Sequence, residues 1–328
     1  MTVPAATFQT FQQIGRREDL TQAIYDISPT EKPFTSAVKK TKAAASKHEW
    51  QTDALASASA TNAIIEGDDA SANTADPTVR LNNQLQTLRK VVSVSGRSRE
   101  IVTAGRSDEF EYQLKKRMAE LGRDLESSLT QNGYATAGAA ASAPLMASAE
   151  SWLGTNRTSV GTGTAQTTPG IDATAGTPVT APTDSTVAGT LTEASLKAVI
   201  RACWDAGGDP SLVMVGSEVK QKISTSFTGL ATRFRDVKSK SEAQIIAGAD
   251  VYVSDFGVTT IVPSRLQRAR TVLVIDPEYW GIASLRGFRM ERLAKTGDSD
   301  KAQILGDYTL EARNEKSSGK IADVNGAL

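Results

Sequence analysis

Ser107 to Gly133, SDEFEYQLKKRMAELGRDLESSLTQNG, is the stretch that most narrows what this chain can become. Phe110, Leu114, Met118, Leu121, Leu125 and Leu129 recur at three- and four-residue steps, the period of one helix face. Ser107 stands where a cap belongs, and Asp108, Glu109 and Glu111 place negative charge at the positive end of the helix dipole. Glu111 precedes Lys115 by four residues and Lys116 precedes Glu120 by four, so the other face carries matched charge. Asn132-Gly133 supplies a left-handed stop. At about 1.5 Å per residue the rod is roughly 35 to 40 Å long. A helix of that length with one narrow apolar stripe is a spine that other elements must lie across.

The spine belongs to a chain of 328 residues, room for one large domain or two to three smaller ones. Lys+Arg and Asp+Glu both number 37, so no net charge advertises a nucleic-acid partner. No run approaches the ~18 apolar residues of a membrane span, and the first residues lack a signal-peptide core, so no membrane is expected. Cys203 is alone and cannot form a disulfide within one chain, which fits a reducing cytosol. His48 is the only histidine. A zinc site, or a Cys–His or Ser–His nucleophile, would have to converge on that one residue. No catalytic, cofactor-binding or metal-ligating set is therefore expected, and the chain does not read as an enzyme.

Residues 1–15 are polar with isolated Phe8 and Phe11 and read as an arm ordered only against a partner. Leu20, Ala23, Ile24 and Ile27 predict a short helix that stops before Ser28-Pro29, and a second turn follows from Pro33 to Lys39. Ser46 to Leu55 is extended, with His48, Trp50 and Thr52 on one side and Lys47, Glu49 and Gln51 on the other. Residues 56–77 are small and polar except Ile64-Ile65; beyond Pro77 the chain is extended again through Val79, Leu81, Leu85, Val92 and Val94 to Gly96. Two extended arms around so weakly apolar a tip predict a β-hairpin that lies against another chain; a disordered loop is the alternative.

Residues 134–190, rich in Ala, Gly, Thr, Ser and Pro, read as an insertion or linker anchored by Leu145, Trp152 and Leu153. Leu196, Val199, Ile200, Cys203 and Trp204 then predict one helix face ending at Gly207-Gly208. Leu212–Val215 predicts a buried strand, Ser217 a helix start with Val219, Ile223 and Phe227 inward, and 251–253, 258–262 and 272–275 further strands. Thr192 to Trp280 is thus a mixed α/β unit. Around the turn-rich AKTGDSDKA, a second long hairpin alternates, with Ile304, Tyr308, Leu310 and Ala312 on one face and Gln303, Asp307, Glu311 and Arg313 on the other. That apolar face and the spine's stripe suit each other as a helix-on-ribbon platform.

Several short motifs tempt a chemical reading. Asp255-Phe256-Gly257 matches a kinase magnesium triplet, but no glycine-rich phosphate loop, strand lysine or His-Arg-Asp loop accompanies it. Gly67-Asp68-Asp69 resembles a polymerase turn without a supporting sheet. Cys203 sits on an apolar helix face, as an inert small hydrophobe does. His48 with Trp50 reads as a packed or interface pair. Asn156-Arg157-Thr158 matches a glycosylation acceptor by accident, given the missing signal peptide. Arg97, Arg99, Arg106, Lys115, Lys116 and Arg117 flank the spine's start; a solvated or subunit-contacting face and a phosphate contact are the two readings.

The order of arm, extended hairpin, spine helix, α/β unit and terminal hairpin resembles the major capsid protein of tailed bacteriophages, whose α+β coat fold is named after phage Hong Kong 97. The wording of DISPTEKPF (26–34), SKHEWQTDAL (46–55), FTGLATRF (227–234) and DVYVSDFG (250–257) is similar to that family. VPSRLQRARTVLVIDPEYW (262–280) and LAKTGDSDKAQILGDYTLEARNE (293–315) resemble it most. The resemblance implies an N-terminal arm and short helices (1–45), an extended loop over a neighbouring subunit (46–96), and a peripheral domain built from the spine (97–133) and terminal hairpin (281–316). It implies an axial domain at 191–280 and a C-terminal tail at 317–328, and leaves 134–190 unplaced.

The function implied is self-assembly, as pentamers and hexamers, into an icosahedral head shell in the virion, built in the host cytoplasm around double-stranded DNA contacted non-specifically. Portal, scaffolding and decoration proteins are the further partners implied. With the first recognisable element near Arg16, scaffolding is expected from a separate protein or not at all. Another virion component, or an encapsulin-type compartment shell of the same fold, is the alternative.

Overall fold

The computed structural model describes residues 30–69, 77–101, 108–163, 168–227 and 250–325. In chain order α1 (Pro33–Ala37) leads to β1 (Lys39–Lys42), β2 (Lys47–Thr52), β3 (Val79–Gln84) and β4 (Gln86–Ser95). A short α2 (Gly96–Glu100) precedes the long α3 (Glu109–Thr130), then α4 (Ala149–Trp152), β5 (Arg157–Ser159) and β6 (Gly189–Thr190). Next come α5 (Glu193–Asp205), β7 (Leu212–Val215), α6 (Ser217–Ser226), β8 (Val251–Ser254), β9 (Gly257–Pro263) and β10 (Val272–Ile275). The chain closes with β11 (Trp280–Arg292), β12 (Ser299–Ala312), β13 (Gly319–Ala322) and β14 (Val324–Asn325). The predicted helix through Leu20 and Ile27 and the cap at Ser107 lie outside the described residues.

The spine is α3, 22 residues and so about 33 Å long. Asp108 caps it, its Oδ1 accepting from the Phe110 amide at 2.8 Å. The stripe packs as its spacing predicts: Leu121, Leu125 and Leu129 are buried together with Ile282, Ile304 and Leu310, and Phe110 with Val92, Val94 and Ala302. Met118 departs from the stripe and is exposed. Glu120 turns to Arg117 at 2.6 Å and reaches Lys90 at 3.9 Å. No left-handed residue ends the helix. Gln131 turns extended (φ −82°, ψ −175°), and Gly133 serves close approach instead, since a Cβ there would stand 3.3 Å from the Met146 carbonyl oxygen.

A four-stranded sheet in the order β1-β11-β12-β4 forms the platform under this helix. β11 and β12 pair from Trp280↔Ala312 to Arg292↔Ala302, with register shifts around Arg286. β12 then pairs β4 from Tyr308↔Gln86 to Ser299↔Ser95. The predicted first hairpin therefore divides at Leu85. Its β4 portion joins the platform, and only β2 and β3 form the separate ribbon, paired from Lys47↔Gln84 to Thr52↔Val79.

The second sheet runs β5-β13-β10-β7-β9-β8. Its central β7 and β10, LVMV and VLVI, are buried at every position, as a strand covered on both faces requires. One face meets α5 and α6 through Val213, Val215, Val272 and Val274; the other meets the platform core through Met214, Leu273 and Ile275. Gly207 ends the α5 stretch at φ +90°, where glycine is at ease. Trp204 is not on the buried face of α5: it is 53% exposed and lies on Phe256, ring centroids 5.2 Å apart.

Two expectations fail on the same physical point. Residues 317–328, read as a tail, contain β13, fully buried between β5 and β10. Residues 134–190, read as an insertion or linker, hold Met146, Ala147, Ala149, Trp152 and Leu153 with at most 2% exposure and supply β5. Small residues here serve backbone approach. The Gly133 carbonyl accepts from the Ser148 amide at 3.0 Å and from the Ser151 hydroxyl at 2.5 Å. Their few large side chains fill the space between the two sheets.

Buried charges pin these pieces together. The Glu126 carboxylate on α3 accepts from the Phe34 and Thr35 amides, both at 2.8 Å, neutralising the start of α1. Lys320 on β13 donates to the Glu150 carbonyl at 3.0 Å, and Arg268 reaches the Glu150 carboxylate at 2.7 Å. Burial pushes the Lys320 ammonium down to about 8, against the pull of Glu150.

Candidate assembly site

The β2–β3 ribbon is gripped at its base and bare at its tip. Trp50 donates its indole N–H to the Ala312 carbonyl at 2.9 Å and lies 5.5 Å from the Trp152 ring. Asn83, fully buried, donates to the Leu310 carbonyl at 2.8 Å and the Ala147 carbonyl at 3.2 Å, while its own oxygen accepts from the Ala147 amide at 2.9 Å. Asn82 is clamped by the 170–178 turn: its amide donates to Gly176 O at 2.9 Å and its side chain to Ala175 O at 2.6 Å. Gly176 adopts φ +66°, and a Cβ there would overlap the Arg80 carbonyl, so glycine is required. The residues read as a linker are thus the ribbon's clamp.

Beyond Thr52 the described hydrogen bonds of the tip are local, such as the Asp68 amide to Ile65 O at 3.1 Å. Leu55 is 100% exposed, Ile64 83% and Ile65 80%. Among the described residues nothing covers these three aliphatic side chains, and apolar groups gathered on an exposed projection are a usual mark of an interaction surface.

The candidate chemical residues scatter. His48 sits at the ribbon's base, its ring 5.7 Å from Trp50 and its Nε2 3.6 Å from Glu311. Cys203 is buried in the α5 face, and burial pushes its thiol up to about 12, so it is unreactive. Asp255-Phe256-Gly257 is the turn of the β8–β9 hairpin, with Ser254↔Gly257 the last pair. Gly67-Asp68-Asp69 is part of the exposed tip, with Gly67 at φ +86°. Asn156 is buried and donates to the Lys316 carbonyl at 2.5 Å, which leaves no room for a glycan. Among the described residues no group of three or more His, Cys, Asp and Glu side chains could hold a metal ion.

The basic cluster also separates. Arg99 bridges Asp300 at 2.5 Å and Asp108 at 3.0 Å, and both carboxyls are held below the usual range: Asp300 by Lys295 and then Arg99, Asp108 by the Phe110 amide and then Arg99. This pairing lines a polar cleft of about 620 Å³ between α2 and the 293–298 loop. Lys115 and Lys116 are exposed on α3, and Arg106 lies outside the described residues. Balanced ion pairs, rather than a uniformly positive strip, mark this end of the platform.

Comparison with known proteins decides what this geometry belongs to. The family model described as SU10 major capsid protein matches residues 3–325. The chain belongs to that family. It is also 39% identical over 122 residues to the major capsid protein of Escherichia phage Phieco32; the match spans 37% of this chain and 35%, about a third, of the curated relative's length. The fold is similar to the capsid of a native GTA particle (TM-score 0.63, 12% identity, 96% of this chain and 98% of that one). It is similar as well to the cyanophage A-1(L) capsid (TM-score 0.62, 12% identity, 96% and 98%) and the satellite phage P4 procapsid (0.51, 12%, 89% and 87%). The capsid protein therefore has the α+β coat fold that its sequence resembled. Sequence reasoning found the bare tip through its composition; it missed Asn82, Asn83 and Gly176, whose roles depend on partners some 60 to 230 residues away.

Proposed function

We propose that this capsid protein self-assembles as pentamers and hexamers into a closed icosahedral head shell around packaged double-stranded DNA, with the 53–78 tip as the clasp between subunits. The observation that carries the reading is the contrast within one ribbon: a base hydrogen-bonded into the core and a tip whose Leu55, Ile64 and Ile65 are bare. An isolated two-stranded ribbon is marginal in water, so the tip gains its order from a neighbour once the shell forms. In that reading α3 and the β11–β12 hairpin form the peripheral domain between capsomers, and the six-stranded sheet with α5 and α6 forms the axial domain near the symmetry axis. Portal, scaffolding and decoration proteins join from outside this chain, and assembly takes place in the host cytoplasm.

Electron microscopy of the purified full chain tests this: closed shells are expected, and a stable monomer as the sole species would overturn it. Joining Ser57 to Thr78 by a short glycine turn shortens the tip, and loop closure changes only slowly with length. The shortened subunit should keep its circular dichroism and fail to form stable shells. Normal shells from it would remove the tip from the clasp.

A further inference from the structure

Between α1, the middle of the spine and the β11–β12 hairpin lies a groove of about 290 Å³. Leu125 and Ile282 form its apolar floor together with Phe288 and Tyr308, whose ring centroids are 4.7 Å apart. Lys32 and Lys40 line it as well, and no acidic side chain does. Among the described residues neither of these lysines has an ion-pair partner, whereas Lys39 next door reaches Glu278 at 3.7 Å. Gly122, the one glycine of the spine, opens the groove from the helix side: a Cβ there would stand 2.8 Å from the Lys32 ammonium. Glycine weakens a helix interior, so the notch is kept against the spine's own stability.

Two ammonium groups over an apolar floor select an occupant with an apolar face and carboxylates beside it. The chain carries one immediately upstream. Leu20, Ala23, Ile24 and Ile27 share one face at helical spacing, and Glu18, Asp19 and Asp26 accompany them with no lysine or arginine between residues 18 and 29. That segment lies outside the described residues, which begin at Thr30, two positions before Lys32. From Ile27 to Lys32 the chain spans at most about 18 Å, and residues 18–27 as a helix measure about 15 Å. So short a tether holds the segment beside the groove at an effective concentration in the millimolar range. The 53–69 stretch of a second copy is also acidic and apolar. Its Leu55, Ile64 and Ile65 lack a helical period, however, and it arrives only at the concentration of other subunits.

We infer that residues 18–28 seat in this groove of their own subunit, with Leu20, Ile24 and Ile27 on its apolar floor and the carboxylates toward Lys32 and Lys40. The spine thereby holds the root of the N-terminal arm, and residues 1–17 are what remains to meet another chain. The contact is made within one subunit, so it stands or falls apart from the shell-forming reading above.

The test uses the full chain carrying Ala23→Cys and Ser284→Cys, Ser284 being in the groove wall, treated with a short bis-maleimide linker; buried Cys203 stays unmodified. The linked peptide should appear in a band of one subunit's mass on a denaturing gel. Two chains that carry one cysteine each, expressed together, should give at least tenfold less linked dimer. Dimer as the main product would show that a second copy fills the groove. An equal yield when exposed Glu218→Cys on α6 replaces Ser284→Cys would show an arm with no fixed seat. Either result, or no link at all, overturns the proposal. Ile24→Asp, in a chain without added cysteines, supplies a second measurement that leaves the groove itself untouched. It should raise the binding of a hydrophobic dye at least twofold and lower the melting temperature by a few degrees. Unchanged dye binding and melting temperature would likewise overturn the seat.

Discussion

The β2–β3 ribbon and the β11–β12 hairpin are both long, antiparallel and alternating, yet they have opposite fates. β12 is flanked by β11 and β4, lies under α3, and buries Ile304, Leu310 and Ala312 completely. The ribbon has no third strand among the described residues, and its alternation stops at Thr52. Each hairpin also carries an arginine–carboxylate pair. Arg286 grips Asp307, which is 4% exposed and also accepts from Thr87 Oγ1 at 2.6 Å, tying three strands together. Arg80 grips Glu49 at 2.6 Å in open solvent. A hairpin inside the subunit is held by burial, and its ion pair gains from that burial. In the assembly proposed above, the other hairpin keeps its apolar groups for a neighbour, and its solvent-exposed ion pair does little for the subunit.

The contrast breaks most sharply at Leu310. Leu310→Asp puts an unpaired charge into the platform core and should cost about 4 kcal/mol or more, giving insoluble protein. Soluble, cooperative unfolding of that variant would mean the platform is not the subunit's core. Asp307→Asn should cost about 1.5–3 kcal/mol in denaturant titrations, the range for hydrogen bonds to charged groups. Arg286, and less so Thr87, hold the Asp307 carboxyl below its usual range. The folded state thus binds that proton less tightly than the unfolded chain. The contribution is whole above about pH 4 and lost as pH falls through the lowered value, so the variant should flatten the acid limb of stability.

Trp50→Phe keeps the ring and removes the indole donor to Ala312, at a cost of about 1 kcal/mol. Amide exchange should quicken across 47–52 while the platform strands stay protected; equal quickening in β12 would show that ribbon and platform open as one unit. The smallest subunit effect is expected in the ribbon's solvent-facing groups. Ile64→Asp should move subunit stability by less than about 0.5 kcal/mol yet abolish shells seen by electron microscopy. Glu49→Gln should leave the melting temperature unchanged.

The spine stripe, the two solid-apolar strands β7 and β10 and the terminal hairpin were legible because each carries its own period. What escaped has no period. Ala147, Ser148 and Ser151 act through backbone proximity, which a residue's small size permits but does not announce. Glu126, Glu150 and Lys320 look like surface residues in sequence, and only their distant partners make them interior. Trp204 fitted the helical face by spacing, yet at the last turn of α5 it is half exposed and pairs with Phe256, a turn residue. For the assembly site the tip was legible as a stretch with too little to bury. Its clamp was not, because Asn82, Asn83 and Gly176 recognise backbone, and backbone carries no sequence signal.

The position of β13 has a consequence in time. It lies between β5 and β10, more than 150 and more than 40 residues before it in the chain, and it follows every other strand of its sheet. Until residue 322 is available, β5 has no partner in that sheet and β10 presents an open side. Such long-separation pairing is slow, and unpaired edges of this kind aggregate. A nascent chain can form the spine early, but the platform must wait for β11 and β12, and the six-stranded sheet waits longer still, for β13. Both sheets therefore stay open until the chain is nearly complete, and the subunit's interior is finished only when its last strands are made.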